Sequence, residues 1–499
     1  MNASKLFAAT VFAAALAACS TSPVGPDYQV PRTAVINKPG AAEPFIGAAD
    51  AAAPYTSAPL PAHWWRLYQD PTLDRLIERA LAHNTDLRQA AANLERVQAM
   101  ETETQGAAKP KLSLTGGPGY GHLSGMDVLS PNTVPVSEFN YGVSAQLSYT
   151  IDAAGQIRRA IEAAQASGEA AQAAVDLVRT QVVASTARAY AGICASGLRL
   201  QATEHSVQLQ REALQVSEKL QGAGRVGQID TARARGQLEQ LQAQLPTLRA
   251  ERQGGLYRLA TLMGELPRDF PAELATCATP PRVTALLPVG DGAALLRRRP
   301  DIRQAERELA ASSAHIGVAV ADLYPKVTLG LSVDSVSTLN DFAGKDSFRW
   351  NLGPLISWTV PNTGVARARI AQAEAGQRAA FAKFDGTVLT ALRETETALD
   401  AYAHELQREQ SLQAARDAAT TVAEQARRLY RSGKIGYLDA LDAERSLAAA
   451  EGMLAASAAS LADEQVSLFQ ALGGGWEADG DPKGLTGSKG SKGSSPSAE

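Results

Sequence analysis

The chain has 499 residues, with 48 Lys or Arg against 52 Asp or Glu, a formal net charge of −4. So even a balance, with no basic patch, excludes the electrostatic footprint of nucleic-acid binding. Aromatics make up only 5%, and Ala, Gln, Glu and Arg are frequent, a composition suited to long helices packed through small side chains.

The chain opens on an address. Lys5 precedes an apolar run, Leu6 to Ala18, that is too short to span a bilayer as a helix. Leu16-Ala17-Ala18-Cys19 resembles a bacterial lipobox, which implies a signal peptide over 1–18 and a diacylglycerol plus an N-acyl chain on Cys19. Ser20, not Asp, follows the cysteine and resembles the default signal for outer-membrane sorting. Residues 19–63 are dense in Pro and Ala and read as an extended tether, not a domain.

A first body is expected over 64–264. Asp70 is placed as an N-cap with Pro71 at the first helical position, and the helix is expected to continue through Leu94 to about Ala108. Two alternating segments follow, about 110–122 and 139–151. In the second, Tyr141, Val143, Ala145, Leu147, Tyr149 and Ile151 alternate with polar or small residues. A proline-free run then extends to Gly222, a glycine-rich turn follows, and a partner helix runs from Ile229 to Leu262 with a kink expected at Pro246. Residues 265–291 form a proline-rich connector. Cys194 and Cys277 are expected to stay unpaired as small hydrophobes, although an oxidising periplasm would permit a disulfide.

The second body, 292–473, repeats the first. Gly155 and Gly364, Gly224 and Gly433, and Gly264 and Gly473 are each 209 positions apart, a constant offset that marks an internal duplication. Its alternating segments are about 326–336 and 347–360. Phe348, Trp350, Leu352, Pro354, Ile356, Trp358 and Val360 share one face, and Leu355 is the apolar intruder on the other. From Val365 to Ser432 no proline occurs, which gives a helix of about 100 Å at 1.5 Å per residue. A last helix spans about Tyr437 to Leu472, and the Gly/Ser/Lys-rich 474–499 is expected to be disordered.

The fold class is therefore mixed α/β and mostly long helix, a duplicated unit of two strands and a helical hairpin. Strands of ten to thirteen residues with one apolar face match tilted membrane crossings. Four cannot close a barrel, and open edges are not tolerated in lipid, so copies of the chain must share one. Two copies would give eight strands and three would give twelve; spacing does not choose between them. The competing reading packs two hairpins on a soluble helical bundle.

Several marks, in order, resemble the outer membrane factors, TolC-like efflux channels, and among them the NodT-type lipoproteins. They are Val24-Gly25-Pro26-Asp27-Tyr28, Trp64-Trp65 with Asp70-Pro71, Arg299-Pro300-Asp301-Ile302-Arg303-Gln304-Ala305-Glu306, Ala321-Asp322-Leu323-Tyr324-Pro325-Lys326-Val327, Gly353-Pro354, and Gly433 with Leu438-Asp439-Ala440-Leu441-Asp442. The resemblance implies a homotrimer in the outer membrane, with a shared twelve-stranded barrel continuous with a periplasmic α-helical barrel. It implies a passive conduit in a tripartite pump, joined to a periplasmic adaptor and an inner-membrane transporter. It also implies that Asp230, Leu438, Asp439, Asp442 and Arg445 line or latch a constriction at the periplasmic tip. Asp439, Asp442 and Arg445 lie at i, i+3 and i+6 on one helix face, and both Asp230 and Asp439 can cap a returning helix. The turns carrying Gly224, Arg225 and Gly227, and Gly433, Lys434 and Gly436, are the expected adaptor-docking surface. An enzyme is disfavoured, because the six histidines are scattered and no phosphate loop or Gly-x-Ser-x-Gly occurs. No metal site or further cofactor is expected. A lipid-anchored periplasmic scaffold or adaptor is the alternative, and the twice-repeated strand pairs speak against it.

Overall fold

The computed structural model describes residues 22–49, 53–122, 134, 136–337, 344–345, 347–358 and 363–476. Cys19, Thr359, Val360 and the expected disordered tail from 477 onward lie outside the described residues. In chain order the main elements are β1 (Tyr55–Thr56), α1 (Pro71–His83), α2 (Thr85–Gly106), β2 (Lys111–Gly121), β3 (Glu138–Ile151), α3 (Gln156–Gly222), α4 (Gln228–Gln242) and α5 (Gln244–Leu262). Then come β4 (Leu287–Pro288), α6 (Gly292–Arg298), α7 (Pro300–Ala321), β5 (Lys326–Ser337), β6 (Phe348–Ser357), α8 (Thr363–Arg431) and α9 (Tyr437–Ala471). The two long proline-free runs are single helices of 67 and 69 residues.

The chain divides into two compact units. The first comprises residues up to 34, 91–173 and 302–387 and holds an antiparallel sheet in the order β2-β3-β5-β6. Register brings the four alternating sets onto one face. Leu112 pairs with Leu147, Leu147 with Leu331 and Leu331 with Leu352, a leucine row straight across the sheet. Because the side-chain period is two, one slip of register anywhere would have sent a strand's apolar set to the opposite face. The helix-connected ends, at Lys111, Ile151, Lys326 and Ser357, all lie at one rim.

The second unit comprises residues 35–90, 174–301 and 388 onward. Its core gathers Trp64, Trp65, Leu73, Ile77, Ile193, Leu259, Met263, Leu399 and Phe469, with Trp64 stacked on Phe469 at 4.8 Å between ring centroids. Arg299 is held here by Asp301 at 2.7 Å and Glu394 at 2.9 Å, and it donates to the Ala471 carbonyl at the C-terminus of α9.

Four expectations are corrected. The segment expected as an extended tether is packed: Ala34, Phe45, Tyr55 and Leu60 are buried, β1 pairs with β4 in parallel, and Glu396 accepts from the Ile46 and Gly47 amides. The first helix does not run unbroken to Ala108. Asn84 ends α1 and caps α2, its Oδ1 accepting from the Asp86 and Leu87 amides at 2.9 and 3.1 Å. Its Nδ2 also donates to the Leu262 carbonyl, so a fully engaged buried amide sits at the break. Asn84→Ala is expected to cost about 1–2 kcal/mol, read as a lower denaturation midpoint, with Asn84→Asp recovering the cap but not the Leu262 bond. Third, Cys194 and Cys277 form a disulfide, because the connector lies directly on α3 at this point: a Cβ on Gly197 would stand 1.8 Å from the Cys277 carbonyl oxygen. Finally, the first residues of the expected tail are docked, Trp476 Nε1 donating to the Arg298 carbonyl. The kink expected at Pro246 is present: α4 passes into α5 at Ala243, which keeps helical φ and ψ of −64° and −19°, because proline leaves the Gln242 carbonyl without its helical donor.

Candidate functional site

Two surfaces carry chemistry, one in each unit. In the first, the apolar face of the sheet is uncovered: Trp350 is 66% exposed and Leu352 60%. Aromatic residues mark both ends of that face. Tyr120 and Phe139 are paired, with centroids 5.1 Å apart, near the same end as Phe348 and Trp350. Tyr149 and Trp358 stand at the helix-connected end, where the indole N–H donates to the Leu323 carbonyl. Eight residues separate Trp350 from Trp358, about 26 Å along the chain at 3.3 Å per residue, or roughly 20 Å of height at the ~40° tilt of a barrel strand, of the order of a lipid-facing apolar band between two aromatic girdles. The opposite face carries Ser113, Asn140, Ser144, Gln146, Thr328, Ser332 and Asn351, with Asp334 opposite Arg349 and their charges 3.8 Å apart. Leu355 and Val336 are its apolar exceptions. Within the chain β2 and β6 each have one unpaired edge, and no closed barrel forms. Among the described residues no helix is long and apolar enough to cross a membrane.

In the second unit the tip turns are built twice in the same way. Gly224 and Gly433 adopt φ of +70° and +72°, a region in which a side chain is strained. Arg225 N donates to the Leu220 carbonyl and Lys434 N to that of Leu429, at 2.8 and 2.9 Å, so each helix closes with a Schellman turn. The returning helices are capped alike. Asp230 accepts from the Gly227 amide at 3.3 Å and Asp439 from the Gly436 amide at 3.1 Å. Both aspartates are thus engaged in caps, and Asp230 also lies 3.8 Å from Arg233.

Asp442 and Arg445 differ from them. Both are exposed on α9, and among the described residues neither has an ion-pair partner. Leu438 is 47% exposed beside them. Arg445 lines an open groove of about 810 Å³ between the two hairpins, with Gln237, Gln240 and Leu241 on the opposite wall.

The helix faces below the turns, which the sequence reading did not single out, invert their chemistry between repeats. Glu218 pairs with Arg235 at 2.9 Å; 209 positions on, Arg427 grips both carboxylate oxygens of Glu444 through Nε and Nη2. The hydrogen bonds that Arg427 donates to Glu444 hold its pKa above the ordinary value. Ser217 and Thr231 share a buried hydrogen bond of 3.2 Å, whereas their counterparts, Ala426 and Ala440, make only apolar contacts. Arg233 corresponds to Asp442. Applying the 209-residue offset along the helices, and not to the glycines alone, would have revealed all of these positions.

Comparison with known proteins follows the same division. The family model described as "Outer membrane efflux protein" matches residues 76–265 and 293–474, the two repeats. Nodulation protein T of Rhizobium leguminosarum bv. trifolii is 30% identical over 419 residues, 83% of this chain and 88% of its own. The probable outer membrane lipoprotein SilC of Salmonella typhimurium is 28% identical over 473 residues, 92% and 96% of the two chains. Among solved structures the outer-membrane channel OprN superposes with a TM-score of 0.83 at 34% identity, covering 91% of this chain and 99% of its own. This chain is a channel protein and not an enzyme, and its place is the outer membrane. It belongs to the outer membrane efflux protein family.

Proposed function

We propose that three copies of this chain close a twelve-stranded barrel and form the passive outer-membrane conduit of a tripartite efflux pump. The observation that carries the reading is the sheet: four strands, one lipid-compatible face, one polar face, and two edges whose hydrogen bonds only another copy can satisfy. The polar face would line the lumen, and the helices would continue it as a periplasmic barrel. Acylation of Cys19 rests on Leu16-Ala17-Ala18-Cys19 and agrees with the lipoprotein name of the SilC relative. A conduit fed by an inner-membrane transporter through an adaptor leaves cargo selection to that transporter.

Asp442 and Arg445 are the gate residues in this reading, since they are exposed charges that three-fold symmetry presents to one another. Leu438 narrows the same opening. Asp230 and Asp439 hold the turns in shape by capping and contribute charge secondarily. Gly224, Arg225, Gly227, Gly433, Lys434 and Gly436 form the exposed rims offered to the adaptor. The test is conductance of purified trimer in a planar lipid bilayer. Wild type is expected to give small, flickering steps, and Asp442→Ala/Arg445→Ala steps at least several-fold larger and longer-lived. Equal conductance of the two would remove these residues from the gate. No conductance from folded protein of either kind would return the chain to the lipid-anchored scaffold.

A further inference from the structure

The polar face of the sheet begins, at the helix-connected rim, with a band of charge that is not balanced. Lys111 opens β2 and Lys326 opens β5, each directly after a proline. Strand alternation puts both on the polar face, since Leu112 and Val327 belong to the apolar one. In register Lys111 aligns with Gly330, four residues or about 13 Å along β5 from Lys326. Lys326 is answered by Asp322, four residues earlier, at 3.3 Å. The same carboxylate accepts from Arg369 Nη1 at 3.1 Å and from Gln156 Nε2 at 2.9 Å. Burial pushes the Asp322 carboxyl up, but the bonds from Gln156, Lys326 and Arg369 outweigh it and hold it below the ordinary range, so it stays ionised. Lys111 has no such answer. Four residues before it stands Ala107, and among the described residues Lys111 has no ion-pair partner. One carboxylate therefore stands against three cations, Lys111, Lys326 and Arg369, a surplus of two in each copy.

Farther along the face the charge disappears. The row Ser113, Gln146, Ser332 and Asn351 is neutral, and in the row Thr115, Ser144, Asp334 and Arg349 the two charges cancel at 3.8 Å. Glu138, ten residues or about 33 Å along β3 from the level of Lys111, adds one carboxylate at the opposite end. Asp230, Asp439 and Asp442, near the tip turns, are outnumbered by Arg225, Arg233, Lys434 and Arg445. On the conduit reading, in which the polar face lines the lumen, we propose that the rim band makes the channel anion-selective, with Lys111 as its determining residue and small organic anions as the favoured class of cargo. Three copies contribute a surplus of six positive charges, and rings of Lys or Arg are how anion pores are built. Twelve strands about 4.8 Å apart, tilted by about 40°, enclose a circle of roughly 12 Å radius. Lysine stems reach ~6 Å inward from it, which leaves the axis within a Debye length of about 8 Å at physiological salt. The whole opening thus feels the band. The bias is one of charge and not of shape, so choice among anions stays with the transporter.

The reversal potential of the purified full-length trimer in a planar lipid bilayer tests this, under a tenfold KCl gradient from about 100 to about 10 mM, where screening stays weak. Wild type is expected to pass chloride at least twice as readily as potassium. Lys111→Gln should lower that ratio at least twofold and Lys111→Glu should invert it, while Lys111→Arg keeps it. Asp322→Asn acts in the opposite sense. It frees Lys326 and Arg369 of their carboxylate and should raise the chloride preference, a direction that mere loosening of the rim would not give. In symmetric KCl at about 1 M the Debye length falls to about 3 Å, and wild type and variants alike should show the same conductance, which reports an intact pore in each. A cation preference in wild type, or a ratio left unchanged by Lys111→Glu, would overturn the selectivity band while leaving the conduit in place. No conductance from folded trimer, wild type or variant, would remove the conduit and the band with it.

Discussion

Leu352→Arg is expected to abolish outer-membrane trimers while leaving the chain's helical content intact. Leu352 is the end of the row Leu112, Leu147, Leu331 and Leu352, half-way along β6 and inside the span between Trp350 and Trp358. If the face meets hydrocarbon, an arginine there costs about 2–4 kcal/mol in each copy, and a symmetric assembly pays it three times over. If the face meets water or a loose soluble neighbour, the same substitution at a 60% exposed site should change stability by no more than about 0.5 kcal/mol. The two environments thus predict opposite results from one side chain. Asn351→Arg is the control. It lies one residue away on the polar face, next to the Asp334–Arg349 pair, and should assemble normally in either case. The measurement is trimer yield in the outer-membrane fraction by semi-native electrophoresis. Normal yield for Leu352→Arg would contradict a lipid-facing sheet.

How much of this was readable in the sequence depended on how local the determining physics was. The strands were legible because period-two alternation is written within each ten-residue segment, and both faces of a barrel wall impose it strictly. Observed bounds fall within three residues of the expected ones. The tip turns were legible because a left-handed glycine and a capping aspartate are short-range signals that occurred twice. The break at Asn84 was not, since apolar periodicity passes through it and one asparagine in a helical pattern reads as a tolerated guest. Residues 22–49 were misread for a different reason. Their Pro/Ala composition is that of a tether, and what binds them down is supplied from far away in sequence, by Arg159, Gly317 and Glu396. The capping roles of Asp230 and Asp439 were anticipated, while the inverted pairs Glu218–Arg235 and Arg427–Glu444 needed the duplication to be carried onto the helix faces.

The disulfide was the other long-range feature, and it leads to the second large effect. Cys194 is fully buried on α3 and Cys277 sits in the connector, 83 residues later. Closing a loop of that length removes denatured-state entropy worth about 4.5 kcal/mol in the chain-entropy model, so Cys194→Ala/Cys277→Ala is expected to lower stability by an amount of that order. The connector has other hold-points. Gln465 donates to the Val283 carbonyl and accepts from its amide, and Arg282 pairs with Glu409, so removal of the bond should loosen residues 270–280 more than 283–289. Two helical glycines separate the cause. Gly192→Ala meets nothing within 4 Å and should stabilise by about 0.5–1 kcal/mol, as alanine does in a helix interior. Gly197→Ala has the same helical advantage, yet its Cβ would fall inside the Cys277 carbonyl. It should displace the connector, leave a titratable fraction of free thiol, and destabilise by more than the alanine gains. Thiol labelling and denaturation midpoints of the two variants, measured side by side, decide the matter. If Gly197→Ala oxidises fully and gains stability like Gly192→Ala, the connector does not lie on α3.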